Sequence, residues 1–242
     1  MGSSNVATSS NWKGSSNTLA DAPATRLVLV RHGEANCNAD GFVGGHTGCT
    51  GLTARGIRQV EALRDRWKGS GELGNVALLF SSTLPRARET AAILAPAIGN
   101  LEVQPDRELC EFHTGEEADG IPWRVFEERY TVDFRHDPFA PPYEGPGWES
   151  LEEFRFRVGR ALYRLANEHA GQTMVLAVHG GIVDVAMSVF LGIPASRTAR
   201  PADFYTYNAS VTEWVRPAPA EDGPAKWRLV RYNDAAHCTE LT

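Results

Sequence analysis

Two histidines follow short apolar runs in this chain, and a glycine comes directly after each of them. His32 follows Arg31 and the apolar run at residues 27–30. His179 follows the apolar run at residues 173–178. Such runs predict buried strands, and the carboxyl ends of strands form the edge where open α/β sheets bind ligands. Because a neutral imidazole is a nucleophile and a guanidinium neutralises phosphoryl oxygens, the pattern indicates phosphoryl transfer.

A second arginine is predicted to reach the same edge. Arg86 follows Pro85 in the first turn of a predicted helix, after the apolar run at residues 76–80. Proline favours the first helical position, and the free N–H groups of a helix start attract anions. Residues 81–83, Ser-Ser-Thr, are predicted to cap this helix. Arg88, two residues further along the same helix, is interpreted as a solvent-exposed residue.

Strands and helices alternate along the chain, which predicts a three-layer α/β/α sandwich with a mainly parallel central sheet and a lid insertion. The predicted strands are residues 27–30, 76–80, 101–103, 173–178, 207–215 and 227–232. The predicted helices are one capped by Thr53, with Ile57, Val60, Leu63 and Trp67 buried and Gly69 and Gly71 at its end; one from Pro85, with Leu84, Ala87, Ala91, Leu94 and Ile98 buried; one from near Glu149, with Leu151, Phe154, Val158, Leu162 and Leu165 on one face; and one over residues 182–191.

The composition limits the classes of partner. The 242 residues carry a formal net charge of −6, which argues against nucleic acid, since that partner needs a basic face. No apolar run approaches the ~18 residues of a membrane span. The four cysteines form no Cys-x-x-Cys pair, so we expect no zinc site and reduced thiols in the cytoplasm. These cysteines are Cys37, Cys49, Cys110 and Cys238.

Two segments differ in amino-acid composition from the rest of the chain. Residues 1–24, rich in Ser, Asn, Ala and Gly, are predicted to be a disordered leader. Residues 25–242 are predicted to be one catalytic domain, with a lid insertion at about residues 112–148. The lid aromatics either hold an apolar leaving group or pack the lid onto the sheet, and the sequence leaves both interpretations open. They include Trp123, Phe126, Tyr143 and Trp148.

A set of short motifs runs in order from about residue 26 to residue 215. They are Arg31-His32-Gly33-Glu34 with Asn38, Gly51-Leu52-Thr53-x-x-Gly56, Ser81-Ser82-x-x-x-Arg86-Ala87-x-x-Thr90-Ala91, Leu109-x-Glu111-x-x-x-Gly115, Glu149-Ser150-Leu151, Arg157-Val158, His179-Gly180-Gly181 and Asn208-Ala209-Ser210. The ordered set resembles the histidine phosphatase superfamily, also called the phosphoglycerate-mutase-like family. Each motif is common alone, whereas the whole series is highly specific.

The resemblance implies roles for individual residues. His32 would attack the phosphoryl group and become a phosphohistidine, and charge stabilisation around that group is often the largest catalytic contribution. No metal and no cofactor is expected, since two arginines and a histidine supply the positive charge. The residues implied to bind the substrate phosphate are Arg31, Asn38, Arg86, His179 and Gly180.

The resemblance also implies a general acid. Glu111 matches the position that protonates the leaving alcohol and later helps water attack the phosphohistidine. Glu108, Glu116 and Glu117 are the neighbouring alternatives, and the Glu-x-x-x-Gly spacing favours Glu111. Glu34 is interpreted as a residue that braces the first motif.

The implied function is a metal-independent phosphomonoesterase acting on a small-molecule phosphate, and the alternative is a phosphoglycerate-mutase-type phosphotransferase. The mutases usually read Glu-Arg-His-Tyr-Gly where this chain has Glu111-Phe112-His113-Thr114-Gly115, and usually have Asn where it has Gly181. Both differences favour a phosphatase. A non-catalytic binding protein is a third hypothesis, but the nucleophile and the acid are both intact. The substrate and the oligomeric state stay open.

Overall fold

One six-stranded sheet lies at the centre of the protein as described. The computed structural model describes residues 24–131, 145–193, 204–218 and 226–239. The strands are β1 (Thr25–Arg31), β2 (Val76–Ser81), β3 (Val103–Pro105), β4 (Thr173–Val178), β5 (Val211–Arg216) and β6 (Arg228–Asp234). Their order across the sheet is β3-β2-β4-β1-β5-β6. The first four are parallel, whereas β5 runs antiparallel to β1 and β6 antiparallel to β5.

The strand register aligns the segments that carry the predicted chemistry. Arg31 at the end of β1 lies opposite Val178 at the end of β4. On the other side of β4, Ser81 of β2 lies opposite Ala177. The chain therefore leaves three adjacent parallel strands at one level, and this places the residues that follow them along a single edge.

Seven helices lie within the described residues. They are α1 (Asn36–Ala39), α2 (Ala54–Ser70), α3 (Pro85–Leu94), α4 (Gly115–Ala118), α5 (Trp123–Tyr130), α6 (Leu151–Glu168) and α7 (Gly180–Phe190).

Helices cover both faces of the sheet. Leu27 and Leu29 of β1 pack with α6 and α7 on one face. Val28 and Val30 pack with α2 and α3 on the other. Strands that are buried on both faces must be apolar at every position, which is why the central strands appear in the sequence as continuous apolar runs. The predicted α/β/α sandwich with a mainly parallel sheet is confirmed.

The start of α2 follows the prediction, whereas its face and its end differ in detail. Thr53 is the N-cap, and its hydroxyl accepts a hydrogen bond from the Gly56 N–H. Ile57 is 39% exposed rather than buried. Gly69 lies inside the last turn, and Gly71 alone ends the helix with a left-handed φ of 65°, a conformation that glycine adopts without a steric cost.

The start of α3 corrects one prediction. Leu84 is the N-cap, and no side chain of residues 81–83 caps the helix. Instead the Ser82 hydroxyl accepts a hydrogen bond from the Leu84 N–H. Pro85 begins the helix as predicted, and the predicted buried face is confirmed. The rigid ring of proline fixes the helix start directly, so a separate side-chain cap is not needed.

Several other element boundaries also differ from the sequence prediction. β3 lies two residues later than predicted, α7 begins two residues earlier, and α6 begins at Leu151, which is 39% exposed. β5 begins only at Val211, because a turn precedes it in which Ala209 has a φ of 55°. Element boundaries depend on local hydrogen bonds and turns that an apolar pattern does not mark, which explains these shifts.

The described part of the predicted lid contains α4 and α5. Phe126 stacks on Trp148 with ring centroids 5.1 Å apart and an angle of 12° between the rings. Both belong to a small cluster with Val43 and Ala118. Residues 132–144, including Tyr143, lie outside the described residues, as do residues 1–23 of the predicted leader. Within the described ranges no helix is long and apolar enough to cross a membrane.

The capping box of α6 gives a test of the fold. The Ser150 hydroxyl accepts from the Glu153 N–H, and the Glu153 carboxylate accepts from the Ser150 N–H. Ser150→Ala removes one of these bonds and should lower the free energy of unfolding by about 1 kcal/mol. Urea denaturation measures the change. Ser70→Ala, in the last turn of α2, is the control and should have a smaller effect; equal losses would contradict the capping role.

Candidate active site

His32 is held in one tautomer at the end of β1. Its Nδ1 lies 2.7 Å from the carbonyl oxygen of Gly33, and its Nε2 accepts a 3.1 Å hydrogen bond from Nε of Arg86. Since Nε2 accepts, the proton of a neutral ring is on Nδ1, which donates to the carbonyl. The lone pair of Nε2 therefore points toward a guanidinium, which is the arrangement that a nucleophile needs to attack a bound phosphoryl group.

Arg86 is buried at the start of α3, and hydrogen bonds hold it from two sides. Its Nη1 donates to the carbonyl oxygen of Gly44 at 2.6 Å, while its Nε donates to His32. Its own carbonyl accepts from the hydroxyl of Thr90, and the Gly33 N–H donates to that same hydroxyl. The helix start and the histidine motif are thus tied together through one threonine.

Arg31 and His179 each contribute a buried nitrogen that has no hydrogen-bond partner among the described residues. These atoms are Nε of Arg31 and Nδ1 of His179. Nη1 of Arg31 donates to the Thr206 carbonyl, and Nε2 of His179 lies 2.7 Å from the Ser82 hydroxyl. A buried polar atom left unpaired costs about 1–3 kcal/mol, so both sites are suited to a ligand that brings hydrogen-bonding oxygen atoms.

Burial and positive neighbours keep both imidazoles uncharged. The ring centroids of His32 and His179 lie 5.1 Å apart. Burial, followed by the charges of Arg86 and Arg31, lowers the pKa of His32 well below its ordinary value. Burial and Arg86 lower the pKa of His179 in the same way. At neutral pH both rings are therefore neutral, as nucleophilic attack by His32 requires.

Glu111 is positioned by two backbone N–H groups. Its Oε2 accepts from the Gly181 N–H at 3.0 Å, and its Oε1 accepts from the Phe112 N–H at 3.0 Å. A Cβ at Gly181 would lie 2.1 Å from Oε1. Glycine at position 181 therefore allows the carboxylate to approach the start of α7, beside the residues that surround His32.

Arg157 holds the segment that carries Glu111, a role that sequence reasoning missed. Its guanidinium pairs with Glu149 through two 2.7 Å contacts. It also donates to the carbonyl oxygens of Glu108, Cys110 and Glu111. Glu149 precedes the N-cap of α6 and Arg157 lies in its second turn. Both belong to the sequence motifs, and their opposite charges on either side of this helix start were the available signal.

One cavity of about 800 Å³ brings most of the predicted site residues together. His179 is fully buried and is not among the lining residues, but its ring is next to that of His32, which lines the cavity. The predicted residues that line the cavity are Arg31, His32, Asn38, Arg86, Glu111 and Gly180.

The remaining candidates lie where their interpretations predicted or have other contacts. The Glu34 carboxylate accepts from the Thr53 hydroxyl and pairs with Arg55, as a bracing residue would. Glu108 pairs with Arg160. Asn38, Arg88, Glu116 and Glu117 are exposed, and of these Asn38 and Glu116 line the cavity.

The geometry can now be compared with known proteins. A family model described as "Histidine phosphatase superfamily (branch 1)" matches residues 27–235. The chain belongs to the histidine phosphatase superfamily. The match includes all six strands except the first two residues of β1, together with the motifs at the edge of the sheet, which confirms the resemblance found in the sequence.

Relatives within the superfamily include two proteins of Arabidopsis thaliana. Phosphoglycerate mutase-like protein 4 is 33% identical over 167 residues, 67% of this chain and 70% of that protein. A metal-independent phosphoserine phosphatase is 28% identical over 236 residues, 95% of this chain and 90% of that protein. A phosphoserine phosphatase variant from Entamoeba histolytica, solved with phosphoserine, has the same fold, with a TM-score of 0.66, 24% identity and coverage of 88% and 98%.

The predicted reaction class is confirmed. The chain is a phosphoric monoester hydrolase of the histidine phosphatase superfamily, and its nearly full-length likeness is to a metal-independent phosphatase. The mutase alternative gains no better support, since the mutase-like relative matches a smaller part of the chain.

The two neutral imidazoles predict a pH dependence of stability. In the unfolded chain a histidine takes up a proton near pH 6.5, whereas the lowered pKa of buried His32 keeps it neutral in the folded protein. The contribution of His32 to the free energy of unfolding is therefore complete above pH 6.5 and declines as the pH falls below it. From pH 7.5 to 5.5 the loss should be about 1.4 kcal/mol for each buried ring. His32→Asn should reduce the wild-type loss by about that amount in urea denaturation. The exposed His113→Asn is the control; equal slopes in both variants would contradict the explanation.

The close approach at Gly181 predicts a selective loss of activity. Gly181→Ala should displace Glu111 and lower kcat for alkyl phosphates by about 10²-fold or more, since general acids contribute 10²–10⁴-fold. A nitrophenyl ester has a good leaving group and should lose much less. Gly69→Ala, where a Cβ meets nothing within 4 Å, is the control. Steady-state kinetics with both substrates is the measurement. Equal losses of kcat for the alkyl phosphate and for the nitrophenyl ester in Gly181→Ala would contradict the role of Glu111.

Proposed function

We propose that the protein hydrolyses small-molecule phosphate monoesters through a phosphohistidine formed on His32. The observation that carries this proposal is the lone pair of His32 Nε2, which faces Arg86 in a cavity that Glu111 also lines. A nucleophile, a cationic site for the phosphoryl oxygens and a proton donor are the three groups that this reaction needs.

The first step transfers the phosphoryl group to His32. Nε2 attacks phosphorus while the bond from phosphorus to the ester oxygen breaks. Arg86 gives up its hydrogen bond to Nε2 and donates to a phosphoryl oxygen instead. Arg31 Nε and His179 Nδ1 gain partners on the other oxygens, so their stabilisation appears when the phosphoryl group is bound.

Glu111 moves the protons. In its protonated form it gives a proton to the departing ester oxygen, which leaves as an alcohol. The resulting carboxylate then takes a proton from water as the water oxygen attacks phosphorus and the bond to Nε2 breaks. Inorganic phosphate and neutral His32 are regenerated, and the two steps together consume one water.

The same structure supports proposals for the extent of the domain and for the location. We propose one catalytic domain over residues 25–242, since the clusters on both faces share a single sheet. We also propose a small-molecule phosphate as the only substrate class and the cytoplasm as the location. The four cysteines support that location, because all are buried free thiols, as a reducing compartment favours.

The test is phosphate release from a panel of phosphomonoesters in the presence of EDTA. Wild type should release phosphate, and His32→Ala should fall to background because no other group accepts the phosphoryl. His169→Ala, a histidine packed against Phe80 away from the cavity, is the matched control. Full activity of His32→Ala would refute the proposal. A trapped phosphohistidine whose phosphoryl passes to 3-phosphoglycerate rather than to water would favour the mutase.

A further inference from the structure

A second cavity, called the outer cavity here, adjoins the catalytic one. Its volume is about 560 Å³. It shares His46, Arg107, Cys110, Glu111 and His113 with the catalytic cavity, so the two meet beside the proposed general acid. A leaving group that Glu111 protonates therefore has space to extend into the outer cavity.

The outer cavity has several carboxylates on its wall, and other groups already hold them. Besides Glu111, which two backbone N–H groups fix, three glutamates line it. The contacts of these three are Glu108 with Arg160 and Arg164, Glu149 with Arg157, and Glu153 with the N–H of Ser150. Glu108 and Glu149 are therefore already paired with arginines, whereas Glu153 keeps its charge beside a backbone N–H.

Arg107 also lines the outer cavity, and it takes no part in these ion pairs. Within the described ranges its guanidinium has no hydrogen bond and no ion pair, although four glutamates line the outer cavity with it. Its backbone is fixed in a short 3-10 turn, where its carbonyl accepts from the Cys110 N–H and Asp106 caps the turn. The turn thus fixes the backbone of an exposed arginine four residues before Glu111, and its guanidinium is a group that binds anions.

His113 adds a neutral donor to the same wall. Its Nδ1 accepts from the Gly115 N–H at 3.3 Å, so the proton of the neutral ring is on Nε2. Arg107 and His113 together offer N–H donors with one positive charge. A singly charged carboxylate matches that set, whereas a dianionic second phosphate would meet the nearby glutamates with a larger repulsion.

We propose that Arg107 is a specificity-determining residue that selects phosphate esters whose alcohol carries a carboxylate. This inference rests on the proposed function, because it assigns the leaving-group end of the same site. The planar guanidinium fork binds a carboxylate through two parallel N–H bonds. The phosphoryl group lies at Arg31 and Arg86, the scissile oxygen at Glu111 and the carboxylate at Arg107.

The experiment compares two substrates that differ at one group. 3-Phosphoglycerate carries a carboxylate where glycerol 3-phosphate carries a hydroxymethyl group. Wild type should have the higher kcat/KM for 3-phosphoglycerate. Arg107→Gln should lower the ratio of the two kcat/KM values by about 10- to 100-fold, the range expected for a charged hydrogen bond. Because the ratio is measured in one preparation, it does not depend on how much of the variant is folded.

Two further variants sharpen the comparison. Arg88→Gln removes the same charge from an exposed arginine outside both cavities and should leave the ratio unchanged. Arg107→Lys keeps the charge without the fork and should give an intermediate ratio. A wild-type ratio near one, or equal ratios for Arg107→Gln and wild type, would overturn the inference. Failure of the proposed function looks different, since wild type would then release no phosphate from either compound or from nitrophenyl phosphate.

Discussion

The site depends on keeping two buried imidazoles uncharged beside two guanidiniums. Burial makes the charged form of each ring costly, and the neighbouring arginines increase that cost. The uncharged His32 keeps a lone pair on Nε2, which accepts a hydrogen bond from Arg86 and is available for the proposed nucleophilic attack, while the positive charge near it belongs to the arginines. The parallel pairing of β1 with β4 makes this possible, because it brings both histidines to one edge at the same level. Both rings are buried there.

The same separation of charge organises the approach to the site. Around the proposed phosphoryl position, Arg31 and Arg86 line the same cavity and can bind an anion there. Further out, arginines of α6 already pair with the glutamates, and this pairing holds the segment with Glu111 in place. The single guanidinium of Arg157 thus holds three carbonyl groups of this segment's backbone, those of Glu108, Cys110 and Glu111, at once. The proton donor is rigid because backbone groups fix it on both sides.

The sequence was sufficient for the central sheet and for the residues at its edge. Strands buried on both faces must be apolar throughout, so β4 was predicted at its true ends, and the proposed site residues follow such strands. The contacts between distant segments could not be predicted. Nothing local to Arg157 indicates that it reaches the carbonyls of residues 108–111, and the cap of α3 depends on a proline that makes the preceding serines unnecessary. Ile57 has the right spacing for a buried residue, yet only the tertiary packing decides which residues of a helix are covered.

The contact between Glu111 and residue 181 has a consequence for how such enzymes diverge. A side chain at position 181 and a carboxylate in this position occupy the same space, so neither position is free to change alone. Seventy residues separate them, yet they form one heritable unit. A lineage that acquires a larger residue at position 181 must also move its acid. Either change alone gives a poorer enzyme, because the two positions are coupled. A space no larger than one methyl group therefore couples the choice of residue at position 181 to the position of the carboxylate at residue 111.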